Sequence, residues 1–278
     1  MRITSWNLLH GMEIPPNPAG PSTPALRRAV AEIASDVIAV QEVDYQLPRT
    51  SLANQIAEIA AAMSATDWAF APSVIGTPGE KWRKPNASDP KYISNNSIGD
   101  LAGSYGIAIA SNIPVIKWQR LDLGRSLIGL PLVVPTESET SSRPKLRAIY
   151  VHDEPRVALA ATLQNGFTVI NTHLSFAPGV NLVQLRKLKK WADQIARESN
   201  TIPIIMGDLN LPKGIPVIAS KWKSLVTQNT YPSWGAKVQF DYILADDLTG
   251  YEIIDRKTVK TGLSDHLPLR IELIGPRK

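Results

Sequence analysis

The sequence contains no cysteine. Disulfides, thiolate metal sites and a cysteine nucleophile are therefore excluded, and any metal must be held by oxygen and imidazole ligands. Such a donor set favours a hard cation such as Mg2+. Histidine is scarce as well: there are four, none spaced as His-Glu-x-x-His, which leaves a zinc hydrolase without its ligands. Neither a Gly-x-Ser-x-Gly nucleophile elbow nor a Gly-x-x-x-x-Gly-Lys-Ser/Thr phosphate loop occurs. No stretch approaches the roughly 20 apolar residues that cross a bilayer. No block of lysines and arginines marks a nucleic-acid tail, no solenoid period repeats, and no shift in composition marks a boundary.

What is present is a chain of 278 residues with 44% hydrophobic content, enough for a substantial core. We read it as one domain over 1–278. The formal charge is +5 and the pI about 9.3, which suits a phosphate-rich partner such as nucleic acid or an anionic membrane surface; a protein that is simply basic fits the charge equally well. The segment Met1 to Asn7 enters a strand pattern directly, without a charged leader and apolar core, so a cytoplasmic location is expected.

Polar and apolar side chains alternate from Arg2 to Trp6, predicting a half-buried strand with Asn7 at its C-terminal end. Five prolines between Ile14 and Pro24 exclude regular structure there, and Thr23-Pro24 predicts the start of a helix running through Ala25 to Ala34. Asp36 to Val43 reads as a strand covered on both faces and ending in Glu42, a carboxylate that needs a partner if buried. Helical spacing returns from Leu52 to Met63, then a strand at Trp68 to Ala71. The stretch 72–104 predicts a long loop, either functional or solvated, whose Lys81, Trp82, Arg83, Lys84, Lys91 and Tyr92 could meet phosphates and bases. Tyr105 to Ser111 and Pro114 to Leu123 are expected to form a hairpin about Asn112 and Ile113. A second long loop is expected at 125–155, with a flexible centre at Pro135 to Pro144. Val157 to Leu163 and Phe167 to Asn171 form a hairpin through Asn165-Gly166. An amphipathic helix follows at Asn181 to Arg197, then strands at Ile202 to Met206, at Val238 to Leu244 with Asp241 in its middle, and just after His266.

Five apolar runs thus end in Asn7, Glu42, His173, Asp208 and the pair Asp265-His266. Strand ends are where a rigid scaffold fixes functional groups while loops leave room for a ligand. Carboxylates placed so bind Mg2+ together with waters and substrate phosphate, which points to hydrolysis of a phosphate ester. Glycoside hydrolysis needs only two carboxylates, but it does not account for the asparagines and histidines beside them.

Ser5-Trp6-Asn7, Gln41-Glu42-Val43, Tyr105-Gly106, Asn171-Thr172-His173-Leu174, Gly207-Asp208-Leu209-Asn210, Phe240-Asp241-Tyr242-Ile243-Leu244 and Ser264-Asp265-His266 together resemble the ordered motif set of the endonuclease/exonuclease/phosphatase family, from Ile3 to Leu273. The resemblance implies an α/β fold: a four-layer sandwich of two packed mixed β-sheets flanked by helices. It also implies hydrolysis of phosphate esters with Mg2+ or Mn2+. Carried over motif by motif, Glu42 would bind the metal, helped by Asn7 and Asp265. Asp208 would orient or deprotonate the attacking water, and Asn210 would hold that water or a phosphoryl oxygen. His266 would contact the phosphate with Asp241 fixing its tautomer, and His173 would be a second phosphate contact or the leaving-group acid. Asn171 and Arg156 complete the set on the substrate side, Asn171 reading first as support for its loop and second as a substrate contact, and Arg156 equally as a phosphate contact or a surface ion pair. His10 and His152 read as ordinary loop histidines.

The resemblance also bears on substrate. Abasic-site nucleases of the exonuclease III type would carry Tyr-x-Pro-Asn where this chain has Asn171-Thr172-His173-Leu174, a segment closer to pancreatic-type DNases, sphingomyelinases and deadenylases. The expectation is a monomeric phosphodiesterase acting on nucleic acid, with a phosphatase or phospholipase on a lipid or small phosphoester as the alternative, and with a binding module that lost turnover as a third.

Overall fold

The computed structural model of the protein describes residues 1–96, 101–127, 129–136, 145–212 and 214–275. In chain order its strands are β1 (Arg2–Asn7), β2 (Val37–Tyr45), β3 (Asp67–Gly76), β4 (Trp82–Arg83), β5 (Ile93–Ser94), β6 (Ser104–Ser111), β7 (Val115–Gly124), β8 (Leu130–Thr136), β9 (Lys145–Val151), β10 (Arg156–Leu163), β11 (Phe167–His173), β12 (Ile202–Asp208), β13 (Lys223–Ser224), β14 (Asp241–Ala245), β15 (Glu252–Thr258) and β16 (Leu269–Ile274). The helices are α1 (Thr23–Ile33), α2 (Gln55–Met63) and α3 (Val180–Ser199).

The first sheet runs β15-β16-β1-β2-β6-β3-β4, with β5 also on β3; the second runs β13-β14-β12-β11-β10-β7. Both are mixed: β1 pairs with β2 in parallel, as β11 does with β12, and the other ladders are antiparallel. The period-two alternation of each strand sends one set of side chains between the sheets and the other outward. On β2, Val37 and Ala39 enter the inter-sheet core with Leu159, Val169, Ile204 and Met206, while Ile38 and Val40 face α1 and α2. On β12, Ile205 points the opposite way, to Leu185, Leu188 and Ile195 of α3. The result is the expected four-layer α/β sandwich, its outer layers thin because, among the described residues, three α-helices cover two broad sheets. None of the helices among the described residues is long and apolar enough to cross a membrane.

Several local expectations are corrected. The N-cap of α1 is Ser22, whose Oγ accepts the Ala25 amide, so Thr23 and Pro24 already lie in the first turn. The hairpin about Asn112 and Ile113 does not form: β6 pairs with β2 and β3, whereas β7 pairs with β10 in the other sheet. Every residue of β6 is buried, as befits a central strand, and Ser111 Oγ ties both backbone groups of Ile113 to steer the chain across the sandwich. The stretch 72–104 is not one loop, since β3 continues to Gly76 and β4 and β5 pair back onto it. Its Arg83 is bound to Asp89 at 2.6 and 2.8 Å, and Trp82 packs on Leu47, Val74 and Tyr105 with the Arg125 guanidinium over its ring. The stretch 125–155 holds a ribbon of β8 and β9 whose strands pair with each other and with neither sheet. Of the flexible centre expected at Pro135 to Pro144, residues 137–144 lie outside the described residues. β15, an edge strand with alternating exposure, carries too many charges to stand out in the sequence.

Candidate active site

Backbone register alone assembles one side of the site. His173 is paired with Asp208 across β11 and β12, and Asp208 with Asp241 across β12 and β14, so three adjacent strand ends place these side chains in one row. Asp241 therefore opens its strand and does not lie mid-strand as the sequence pattern implied. The row requires Gly207: at φ +150° its Cα lies so close to β11 that a Cβ would sit 1.9 Å from the Thr172 carbonyl oxygen.

The first sheet supplies the other side. Asn7 ends β1, and Glu42 sits at a bulge of β2, where the register with β6 shifts between Val40 and Val43. Glu42 itself has φ 55°, a left-handed conformation that costs a non-glycine residue energy and recurs at functional sites. The bulge opens the ladder, and the Asn171 amide donates to the carbonyls of Val40 and Ala108, both at 2.8 Å, while its oxygen accepts from Gln41 at 2.7 Å. The loop before β16 is fixed in turn: Ser264 Oγ donates to the Asn7 carbonyl at 2.6 Å and accepts the His266 amide, and Trp6 Nε1 donates to the His266 carbonyl.

The two sides meet at Asp208. Asn7 Nδ2 donates to Glu42 Oε1 at 2.9 Å and to Asp208 Oδ2 at 3.1 Å, bridging the sheets. The same Asp208 oxygen faces His173 Nε2 at 3.6 Å and His266 Nε2 at 3.8 Å, too far for direct hydrogen bonds. His266 Nδ1 lies 2.8 Å from Asp241 Oδ2, which also accepts the Thr230 hydroxyl, while Asp241 Oδ1 is buried without a partner. Asn210 is held by its amide on the Leu174 carbonyl at 3.0 Å and reaches His173 Nε2 at 3.2 Å.

Burial raises the carboxyl of Asp208 to about 6 and that of Asp265 to about 6, even with His266 opposing the rise in both. Glu42, partly open to solvent, is also raised by desolvation, with the Asn7 hydrogen bond opposing. The histidines diverge. Burial would lower His266, but Asp241, Asp208 and Asp265 outweigh it and hold the imidazole well above its usual range. Burial lowers His173, and the charges of Arg156 and His266 take it further down. One ring is thus cationic and the other neutral.

Glu42, Asp208 and Asp265 border the same site, with the His266 charge opposing all three: Asn7 donates to the first two, the Asn210 amide also donates to Asp208 Oδ1, and no side chain among the described residues hydrogen-bonds the Asp265 carboxylate. Such an all-oxygen set fits a hard divalent cation, which would supply the missing positive charge. Asp208, Asp241 and His266 also offer donor atoms within 4.8 Å of one another. His266, held cationic, has no lone pair to give a metal ion there, so the Glu42 side suits a cation better.

Asn171 corrects an expectation: fully buried between the sheets, with its amide and oxygen all engaged, it braces the bulge that carries Glu42 and does not face a substrate. Arg156 is no surface residue. It is buried, bound to Asp153 Oδ1 at 3.0 and 3.2 Å, and lines a small cavity with His173, Tyr105 and Ser73. His10 and His152 stand apart from these contacts, His10 in a turn after β1 and lowered to about 3 by burial and by Arg49. Sequence reasoning missed Thr230 and Tyr231, which contact Asp241 and His266 from the segment between β13 and β14. An aromatic residue before proline, Tyr231-Pro232, was the one available signal.

A sequence model of the Endonuclease/Exonuclease/phosphatase family matches residues 4–266. No curated protein matches the chain. Among solved structures, a functionally unknown conserved protein from Enterococcus faecalis V583 is 20% identical with a TM-score of 0.61, covering 99% of this chain and 100% of that one. ANGEL2, described as a 2′,3′-cyclic phosphatase, is 13% identical with a TM-score of 0.61 over 98% of this chain and 94% of its own. A mannosyl-6-phosphatase from Bacteroides thetaiotaomicron VPI-5482 is 13% identical with a TM-score of 0.54 over 99% of both chains. With the family model spanning both sheets and the strand ends described above, the chain belongs to the endonuclease/exonuclease/phosphatase family.

Proposed function

We propose that the protein is a divalent-metal-dependent phosphodiesterase, with nucleic acid as its first substrate class, and that 1–278 form one catalytic domain. The observation that carries the reading is the row His173, Asp208 and Asp241 facing Glu42, Asn7 and His266 across the join of the two sheets. Glu42 and Asp265, with Asn7 beside them, are the residues to hold Mg2+ or Mn2+, which when bound supplies positive charge to a phosphoryl oxygen. His266, protonated and fixed by Asp241, donates from Nε2 to a non-bridging phosphoryl oxygen. Asp208 accepts a proton from the attacking water as the water oxygen forms the new bond to phosphorus; the ester P–O bond breaks, and the leaving oxygen takes up a proton from solvent. Asn210 holds the water or a phosphoryl oxygen. His173 is neutral, and its Nε2 accepts from Asn210, so it has no proton there to give a leaving group; its role is to orient the Asn210 amide.

The net charge of +5 supports nucleic acid. A second reading, a small or terminal phosphoester, is favoured by the engagement of Arg83 with Asp89 and of Trp82 with the protein body, which withdraws two of the six side chains expected to grip a polymer. Purified protein is incubated with plasmid DNA, RNA, bis(p-nitrophenyl) phosphate and p-nitrophenyl phosphate, with Mg2+, Mn2+ or EDTA. Metal-dependent cleavage of nucleic acid supports the first reading, and cleavage of the small esters alone supports the second. No metal-dependent release from any of the four defeats both.

A further inference from the structure

The segment between β13 and β14 is clasped to the loop that carries His266. Leu267 N–H donates to the Thr230 carbonyl at 2.8 Å, Ser233 N–H to the Asp265 carbonyl at 2.7 Å, and Ser233 Oγ to the Ser264 carbonyl at 2.8 Å. Tyr231 lies between these ties, and its own backbone is doubly bonded to Val238. Its position is therefore fixed from three directions. The ring packs against His266 at 4.9 Å between centroids, tilted by 49°, and against Phe240 at 5.6 Å on the far side. The residue is half-buried, and its hydroxyl has no hydrogen-bond partner among the described residues. Burial, and then the charges of Asp265, Asp208 and Glu42, push it up to about 12.

Here a neutral donor without a protein acceptor is carried on a ring packed against a cationic imidazole, whose Nε2 in turn faces Asp208. We infer that Tyr231 is a further catalytic residue, its phenolic hydroxyl donating a hydrogen bond to a non-bridging oxygen of the phosphoryl group that His266 contacts. The inference rests on the phosphoesterase reading. It adds a donor that carries no charge of its own, and one that stays protonated throughout the working pH range. Being held before substrate arrives, the donor needs no reorganisation in the transition state.

Tyr231→Phe keeps the ring against His266 and removes only the hydroxyl; Tyr231→Leu removes both. For metal-dependent hydrolysis, Tyr231→Phe is expected to lower kcat by about 10-fold or more with KM changed much less, and to weaken orthovanadate inhibition by a similar factor. The melting temperature and the NMR titration of His266 should stay as in the wild type, because no protein hydrogen bond is lost. Wild-type kcat and vanadate inhibition in Tyr231→Phe, with impairment confined to Tyr231→Leu, would reduce the residue to packing and overturn the inference. If the wild-type protein hydrolyses no phosphoester, the functional reading fails on its own. Calorimetric titration with inorganic phosphate in the presence of Mg2+ then decides the matter for Tyr231: weaker binding by Tyr231→Phe sustains the contact, and equal binding removes it.

Discussion

His266 Nδ1 lies 2.8 Å from Asp241 Oδ2, and that hydrogen bond joins a loop of the first sheet to a strand end of the second. Its effect is to present Nε2 toward Asp208 and to keep the imidazole charged. Asp241→Asn replaces the acceptor with an amide that cannot support the imidazolium. The expected result is a kcat lower by about 10²- to 10⁴-fold, on the precedent of carboxylate–histidine pairs elsewhere. Far-UV circular dichroism should be unchanged, and NMR should show the His266 titration moved down toward the ordinary histidine range.

As the proposed base, Asp208 would act only when ionised, and burial holds its carboxyl at about 6. The rate should therefore fall as pH drops through that value, about 10-fold for each unit below it. A cation bound nearby favours the ionised form, so raising Mg2+ moves the acid limb to lower pH. Profiles of kcat/KM at two Mg2+ concentrations test both statements. Asp208→Asn should leave less than about one part in 10³ of the activity.

Asp265 provides a stability test that is independent of turnover. Its carboxyl keeps its proton up to about pH 6 in the folded protein, whereas the unfolded chain releases it near 4. The folded state binds the proton more tightly, so this group's contribution declines as pH rises from 4 to 6 and is constant above that. In EDTA at pH 7.5, Asp265→Asn should be more stable than wild type by about 2 kcal/mol. The gap should close as pH approaches 4, and Mg2+ should raise the melting temperature of the wild type more than that of the variant.

Asn171→Ala separates a brace from a substrate contact. The substitution strips the bonds to Val40 and Ala108 from a site with no access to water and frees the bulge at Glu42. A loss of about 2 to 4 kcal/mol is expected, together with a raised Mg2+ requirement and an unchanged KM at saturating metal. An altered KM at saturating metal with unchanged stability would assign Asn171 to the substrate.

The layered fold was legible because its strands are apolar runs with clear ends, and the motif set at those ends drew the reading to one family. What stayed hidden depended on pairing partners. β6 and β7 look like a hairpin locally, yet each finds its neighbour in a different sheet, a choice made by burial over the whole strand. The ribbon of β8 and β9 was masked by the Ser, Thr and Glu-rich residues at its centre. Asn171 was chemically plausible at a phosphate site; the bulge that claims it appears only once β2 and β6 are paired. Tyr231 is nearly invisible in sequence, since its significance lies in touching a histidine 35 positions away.

Asn7 Nδ2, shared between Glu42 and Asp208, shows how the site is divided along the chain as well as between the sheets. If the polypeptide were cut within the β8–β9 ribbon, Asn7 and Glu42 would leave with one fragment, and His173, Asp208, Asp241 and His266 with the other. Neither piece would own a reactive centre, and the N-terminal one would also lack β16, the neighbour of β1. Catalysis would then report the reunion of two silent halves, which makes the ribbon a natural place to build a complementation sensor.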